Sequence, residues 1–187
     1  MSSVATFPSN LTWDEFLALP YETRNAALVD GEVWVNPPNA QHELVVRNLN
    51  IMFVQWMRAG AGRGDVSTQQ PVKISDRRGY QPDFMWYPPE LCAPPDEPAS
   101  FSGPPSLLVE VLSPSTRSFD LIRKRADYEH VGIAEVWFVD PPERKVMVCQ
   151  RSEPGALYGD TELGAGDTIS SPLLEGFELP VDDLFRR

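Results

Sequence analysis

Basic side chains are scarce in this sequence: 16 Lys and Arg stand against 27 Asp and Glu, a net charge of −11. That excludes a protein that coats nucleic acid through charge alone, because phosphate contacts need Lys and Arg. It leaves open a local basic groove, or a site where a metal ion neutralises clustered acids. Cysteine is nearly absent. Cys92 and Cys149 lie far apart and suggest neither a disulfide framework nor a zinc site. No stretch approaches about 18 uninterrupted apolar residues, so no membrane span is expected. The start, MSSVATFPSN, lacks the basic residues and apolar core of a signal peptide. Together these absences point to the cytoplasm. No internal repeat is visible.

What is present is an ordinary globular composition, 42% hydrophobic and 23% charged over 187 residues. That is enough chain for one domain, residues 1–187, with a real core. LTWDEFLALP places Thr12 and Glu15 at capping-box spacing, which predicts a short helix ending near Pro20. AALVDGEVWVNPP is two apolar runs around Asp30-Gly31, a hairpin signal. HELVVRNLNIMFVQWMRAG repeats Leu44, Leu49, Met52, Phe53 and Trp56 at helical spacing, and Gly60 marks its end. DVSTQQPVKIS reads as one strand and PDFMWYPP as another. The proline-rich residues 88–105 read as an irregular loop. SLLVEVLS and AEVWFVDPP are buried strands separated by a helix, PSTRSFDLIRKRADYEHVG, which suggests a parallel crossover. RKVMVCQR is a further strand, and SPLLEGFELPVDDLF a packed terminal segment. The fold class is α/β: a mixed sheet flanked by helices, preceded by an N-terminal helix and a β-hairpin.

Glu110 interrupts the apolar run Leu107–Leu112. An ionised carboxylate in a sheet interior must be paired, bound to metal or neutralised. Asp83 opens the adjacent predicted strand. If the two strands pair, the carboxylates converge and repel unless a proton or cation lies between them. A hard divalent ion takes such oxygen ligands together with water and phosphate, the minimal apparatus for phosphodiester hydrolysis. On the following helix Asp120, Lys124 and Tyr128 share one face, and Phe119, Ile122 and Ala126 another. The polar face can lean over the strand end and bring Lys124 to the phosphate. Arg117, Arg123 and Arg125 make this segment locally basic. His42, at the start of the long helix, and Glu32, after the hairpin turn, are auxiliary candidates. The plainer readings are a turn residue for Asp83, a buried ion pair with Lys or Arg for Glu110, a surface i,i+4 pair for Asp120 and Lys124, and solvent exposure for His42 and Glu32.

LVDGEVWVNPP, His42, PDFMWYP, LLVEVLSPSTRSFDLIRKRADYEHVGIAEVWFVDP and LLEGFELP together resemble the Uma family of restriction-endonuclease-type proteins, within the PD-(D/E)XK nuclease superfamily. The resemblance runs from the hairpin to the tail. It implies a restriction-endonuclease-like, four-stranded mixed sheet, a DNA substrate and a Mg²⁺ (or Mn²⁺) site. Asp83 matches the motif's Asp and Glu110 its second acid, both as metal ligands. Leu112 stands where the motif has Lys, and Lys124 on the following helix takes the place of a substitute. Cutting two strands also leaves a homodimer open. A second reading of the same residues is a catalytically inactive interaction module that keeps the nuclease fold.

Overall fold

The structure, a computed structural model, describes residues 7–19, 26–35, 39–68, 70–94 and 96–187. Pro20 and the NPP at 36–38, both used above, lie outside the described residues.

The chain opens with helix α1 (Trp13–Leu17), where the capping box forms. The Thr12 N–H donates to Glu15 Oε2 at 2.8 Å, and the Glu15 N–H donates back to Thr12 Oγ1 at 3.4 Å. Strands β1 (Ala26–Val29) and β2 (Glu32–Val35) make the expected hairpin. Asp30 and Gly31 at its tip have φ of 52° and 87°, the left-handed pair that a two-residue turn needs. Helix α2 (Ala40–Arg58) is capped by Asn39, whose side chain accepts from the N–H groups of Gln41 and His42.

DVSTQQPVKIS is two strands, not one. β3 (Asp65–Ser67) and β4 (Val72–Ser75) belong to different sheets. β4 turns back into β5 (Arg78–Tyr80), which pairs with β1. This gives a four-stranded antiparallel sheet in the order β2-β1-β5-β4. Its Gly79 is required by contact, since a Cβ there would lie 1.9 Å from the Trp13 ring. After β6 (Phe84–Tyr87) the proline-rich stretch is irregular apart from one 3₁₀ turn, Pro89–Leu91. Then follow β7 (Leu107–Val111), a continuous helical crossover, β8 (Glu135–Asp140), β9 (Lys145–Arg151) and β10 (Tyr158–Leu163). β7 and β8 are parallel, as expected for a crossover. The main sheet has six strands rather than four, in the order β10-β9-β8-β7-β6-β3. The added outer strand β10 is largely polar, so it carries little hydrophobic signal.

Strand alternation assigns the two faces of this sheet. Leu107, Val109 and Val111 join Phe84 and Trp86 on one face, packed on α2 residues Val45, Leu49, Phe53 and Trp56 and on the tail. The tail forms β11 (Thr168–Ile169), β12 (Leu179–Pro180) and α5 (Val181–Leu184). It is pinned by two buried polar groups. Asn48 Nδ2 donates to the carbonyls of Leu184 and Arg186 at 3.0 and 2.8 Å. Glu135 accepts from Ser171 Oγ at 2.7 Å, from Gln150 at 2.6 Å and from Trp137 at 2.5 Å. On the opposite face Met85, Tyr87, Leu108 and Leu112 pack with Tyr128, Val29, Val72 and Tyr80, so the crossover and the second sheet cover it together. Asp83 precedes Met85 by two residues, and Glu110 lies between Leu108 and Leu112. Both acids therefore point to this second face.

The crossover is α3 (Arg117–Phe119), a π-helical turn (Asp120–Lys124) and α4 (Arg125–His130). Its inward side is the polar one. Asp120 and Tyr128 are buried, whereas Ile122 is 73% exposed and Ala126 is exposed. The expected apolar grouping of Phe119, Ile122 and Ala126 therefore fails at its last two members. A π turn holds more residues per turn than an α turn. Residues i and i+4 come closer to a single line, so Asp120 and Lys124 both aim at the strand while Ile122 swings to solvent.

Candidate active site at the end of strands β6 and β7

The register Phe84↔Val109 puts Asp83 and Glu110 side by side at the strand end. Asp83 Oδ2 accepts from the backbone N–H of Val111 at 2.7 Å. Its other oxygen, Oδ1, meets His42 Nε2 at 2.8 Å. His42 is not the exposed helix terminus of the plainer reading. It lies one turn before Val45 and Leu49 on the buried stripe of α2, which lays its ring over the strand end. Burial alone would lower the imidazole pKa. The hydrogen bond and charge of Asp83 reverse this, and the net direction is upward from the ordinary 6.5.

Glu110 is buried, and its direct partner is a lysine. Lys124 Nζ is 2.9 Å from Glu110 Oε2 and 3.0 Å from Asp120 Oδ1. The Tyr128 hydroxyl donates to Glu110 Oε1 at 2.5 Å, and Thr116 Oγ1 donates to Asp120 Oδ2 at 2.7 Å. Asp120 and Lys124 are thus an interior pair rather than a surface one. A buried carboxylate without a counterion costs several kcal/mol, and Lys124 removes much of that cost. Three carboxylates still face one ammonium. Desolvation, then the charges of Asp83 and Asp120, raise the Glu110 carboxyl to about 7 despite the attraction of Lys124. Lys124 moves up as well: burial opposes its charge, but Glu110, Asp120 and Asp83 together outweigh burial. The ammonium is therefore held charged, and the last carboxylate of the cluster gives up its proton reluctantly. Burial and the neighbouring Glu110 likewise raise the Tyr128 phenol, so this hydroxyl remains a donor.

His42, Asp83, Glu110, Thr116, Asp120 and Lys124 line one cavity of about 90 Å³, together with Gln81, Trp34 and Phe119, while Tyr128 lies behind Glu110. It has room for a cation and a few waters. The donor set fits a hard divalent cation. Each of the four oxygens of Asp83 and Glu110 has one protein donor on it and keeps a second lone pair. The cluster also carries more negative than positive charge. Among the described residues, no three His, Cys, Asp or Glu side chains form a metal cluster by themselves. Mg²⁺ does not need one, since it is commonly held by one or two carboxylates with water and phosphate completing the shell.

Glu32 stands apart. It is exposed at the turn end of β2, opposite Val29, and does not line the cavity. The three arginines do not form a free basic face. Arg117 pairs with Asp140 at 2.8 Å, Arg125 with Asp160 at 2.8 Å, and Arg123 lies 3.6 Å from both Asp30 and Asp127. Leu112 is buried beside Tyr128 and Phe138, so the motif's usual lysine position is core. Sequence reasoning missed Trp34, Gln81 and Thr116. The Gln-Pro-Asp adjacency could have drawn attention to Gln81, and the i,i+4 spacing from Asp120 to Thr116.

The Asp83–His42 pair gives a pH-dependent expectation. A histidine whose folded-state pKa is raised contributes stability below its unfolded value of 6.5, and this is lost as pH rises through the folded value. Asp83→Asn keeps an acceptor for Val111 but removes the charge. It should lower the melting temperature relative to wild type at about pH 5.5 and have a distinctly smaller effect at about pH 8.5. Equal losses at both pH values would show that His42 is not charged in the pair.

No match is found among curated proteins. Among solved structures, one from Anabaena variabilis ATCC 29413, described as "a putative nuclease belonging to DUF820", superposes with a TM-score of 0.76. It is 18% identical, and the match covers 94% of this chain and 97% of that one. At this identity the likeness establishes a shared restriction-endonuclease-like fold. No helix among the described residues is long and apolar enough to cross a membrane. The family model "Uma2: Putative restriction endonuclease" matches residues 13–182, nearly the whole chain, and the protein belongs to that family.

Proposed function

We propose that the chain is a divalent-metal-dependent endonuclease that hydrolyses phosphodiester bonds of DNA, with Asp83 and Glu110 as metal ligands and Lys124 as the catalytic cation. The observation that carries the reading is Lys124: from the crossover helix it reaches Glu110 at 2.9 Å, although the strand position usual for such a lysine is Leu112. Mg²⁺ or Mn²⁺, when bound, withdraws charge from the phosphate and activates water. The chain's own groups do the rest. Lys124 stays charged and cannot accept a proton, so its role is electrostatic: it holds water and offsets charge building on the phosphate oxygens. Asp120, fixed by Thr116, holds the ammonium from its far side. Tyr128 fixes Glu110, and His42 fixes Asp83 with the other carboxylate oxygen tied to the Val111 N–H. This support keeps both acids in place where charge repulsion would part them.

The test is cleavage of supercoiled plasmid across a metal series. Purified protein should nick or cut with Mg²⁺ or Mn²⁺ and be inert in EDTA. Asp83→Ala and Glu110→Ala should each lower the rate by orders of magnitude, because each removes metal ligation. Cleavage by both variants at the wild-type rate, or none by wild type with any metal, would leave the inactive interaction module as the better account.

A further inference from the structure

We propose that Trp34 is the base-stacking residue of this cleft, and that the substrate it selects is single-stranded DNA. The proposal rests on the nuclease reading of the same cavity and narrows its substrate. Trp34 lies on β2, the outer strand of the second sheet, and lines the cavity that holds Asp83, Glu110 and Lys124. It is 51% exposed. The other four tryptophans, Trp13, Trp56, Trp86 and Trp137, are all buried. Phe119 supports the indole, with ring centroids 5.2 Å apart and planes tilted by 31°. The support comes from the crossover helix that also carries Lys124. An aromatic ring half open to water beside a polar cleft is a contact surface waiting for a flat partner.

Electrostatics favours an unpaired base as that partner. Binding along a duplex draws chiefly on phosphate contacts from Lys and Arg. Here the cavity offers one lysine, already shared by two carboxylates, and the three arginines of the crossover are each matched by acids. Stacking needs no net charge, and one base on an aromatic ring contributes about tenfold or more in affinity. Inside a duplex, both faces of a base are already covered by its neighbours. A single strand can therefore place a base on Trp34 while the adjoining phosphate enters the cavity; a relaxed duplex cannot, and a supercoiled plasmid does so only where negative superhelicity opens its strands.

Tryptophan emission reads this directly, since the four buried rings are shielded from quenching. Wild-type protein with Mg²⁺ is mixed in a stopped-flow device with a short single-stranded DNA, and separately with the same sequence as a blunt duplex. Emission is read before cleavage accumulates. The single strand should quench the long-wavelength, solvent-exposed part of the emission, and the duplex should leave it unchanged at the same concentration. Trp34→Phe should lose the quench yet hold labelled single strand, by anisotropy, within about threefold of wild type. Trp34→Ala should bind about tenfold more weakly, with a melting temperature lowered by no more than about 4 °C, because it loses one half-exposed contact with Phe119. Equal quenching by the duplex, or single-strand affinity unchanged in Trp34→Ala, overturns the proposal. Absence of quenching in a protein that nicks plasmid would sink the stacking role alone. Trp34-dependent binding in a protein that cuts nothing with any metal would keep stacking and sink the nuclease reading.

Discussion

A Lys124→Met variant is expected to lose metal-dependent cleavage of plasmid by about two orders of magnitude or more, while still binding the metal. Met is neutral and of similar length, so it removes the ammonium without emptying its place. Removal of one preorganised electrostatic group from a reacting centre costs about 10²–10³ in rate, whereas a lysine serving only as a surface counterion would contribute about 0–1 kcal/mol of stability and nothing to rate. The geometry excludes a surface counterion and supports the proposed role: the amine is 2.9 Å from Glu110 and 3.0 Å from Asp120, and the group is largely buried. The fold should survive. With the ammonium gone, the Glu110 carboxyl, already raised to about 7 by burial, rises further and is neutral at physiological pH. The variant should therefore be most stable at mildly acid pH and weaken as pH climbs. Binding of Mn²⁺, followed by its paramagnetic effect on water relaxation, should persist, because Asp83 and Glu110 both remain and the cation displaces the Glu110 proton as it binds. Wild-type cleavage rates in Lys124→Met would reduce Lys124 to a counterion. A second variant sharpens the test. Leu112→Lys in the Lys124→Met background restores a lysine at the motif's usual position, on the same face as Glu110. Partial recovery of cleavage is expected if one ammonium, from either element, is what the site requires.

The acids of this site were legible because they break a pattern. Glu110 is conspicuous as a carboxylate inside Leu-Leu-Val-Glu-Val-Leu, and alternation along two strands predicts that Asp83 and Glu110 share a face. Lys124 was legible through the i,i+4 ladder from Asp120 to Tyr128. The hairpin and the first helix followed from local chemistry, the Asp30-Gly31 turn and the Thr12–Glu15 box, which act within four residues and need no tertiary context. The parallel crossover followed from two apolar strands flanking one helix.

What escaped the sequence has a common cause: it depends on partners distant along the chain. β5 is three residues around Gly79, too short to carry a strand signal of its own, and Trp13 packs on that glycine. Residues 65–75 taken alone look like one strand; pairing with β5 puts β4 in a second sheet and leaves β3 to the first. The π turn is invisible to a fixed helical period, so Ile122 was grouped on one face with Phe119, which packs inward, when it faces solvent. His42 was undervalued because its role is set by the stripe of α2 that continues to Val45, not by its position at a helix start. The arginines of the crossover looked basic in isolation. Asp30, Asp127, Asp140 and Asp160 neutralise them, and three of those acids belong to other elements.

The second large effect should appear in melting curves. Mg²⁺ or Mn²⁺ at about 100 times its dissociation constant stabilises the native state by about 2.7 kcal/mol if it binds only there. For a chain of this size that is a rise of about 5–10 °C. The rise should depend on pH in a definite direction. In the metal-free fold, Glu110 holds its proton up to about 7, against 4.5 as its ordinary value. Between those two values the folded protein binds a proton that the unfolded chain has released, so metal-free stability falls as pH increases across that interval. A cation must displace the same proton. Its stabilisation is therefore small near pH 5.5, grows through about pH 7 and levels off above, and binding releases protons that an unbuffered titration can count. Glu110→Gln removes the titration while keeping shape. Its metal-free stability should fall much less over this interval, keeping only the decline that His42 contributes above about 6.5, and the metal-induced rise should shrink to a small fraction of the wild-type value, because an amide is a poor ligand for a hard cation. A structural ion pair makes the opposite prediction. Metal would then shift neither protein, and Glu110→Gln would be destabilised by several kcal/mol at every pH, since the Lys124 ammonium would lose a buried counterion. Four melting series, wild type and Glu110→Gln each with EDTA and with metal, separate the two accounts without any measurement of cleavage.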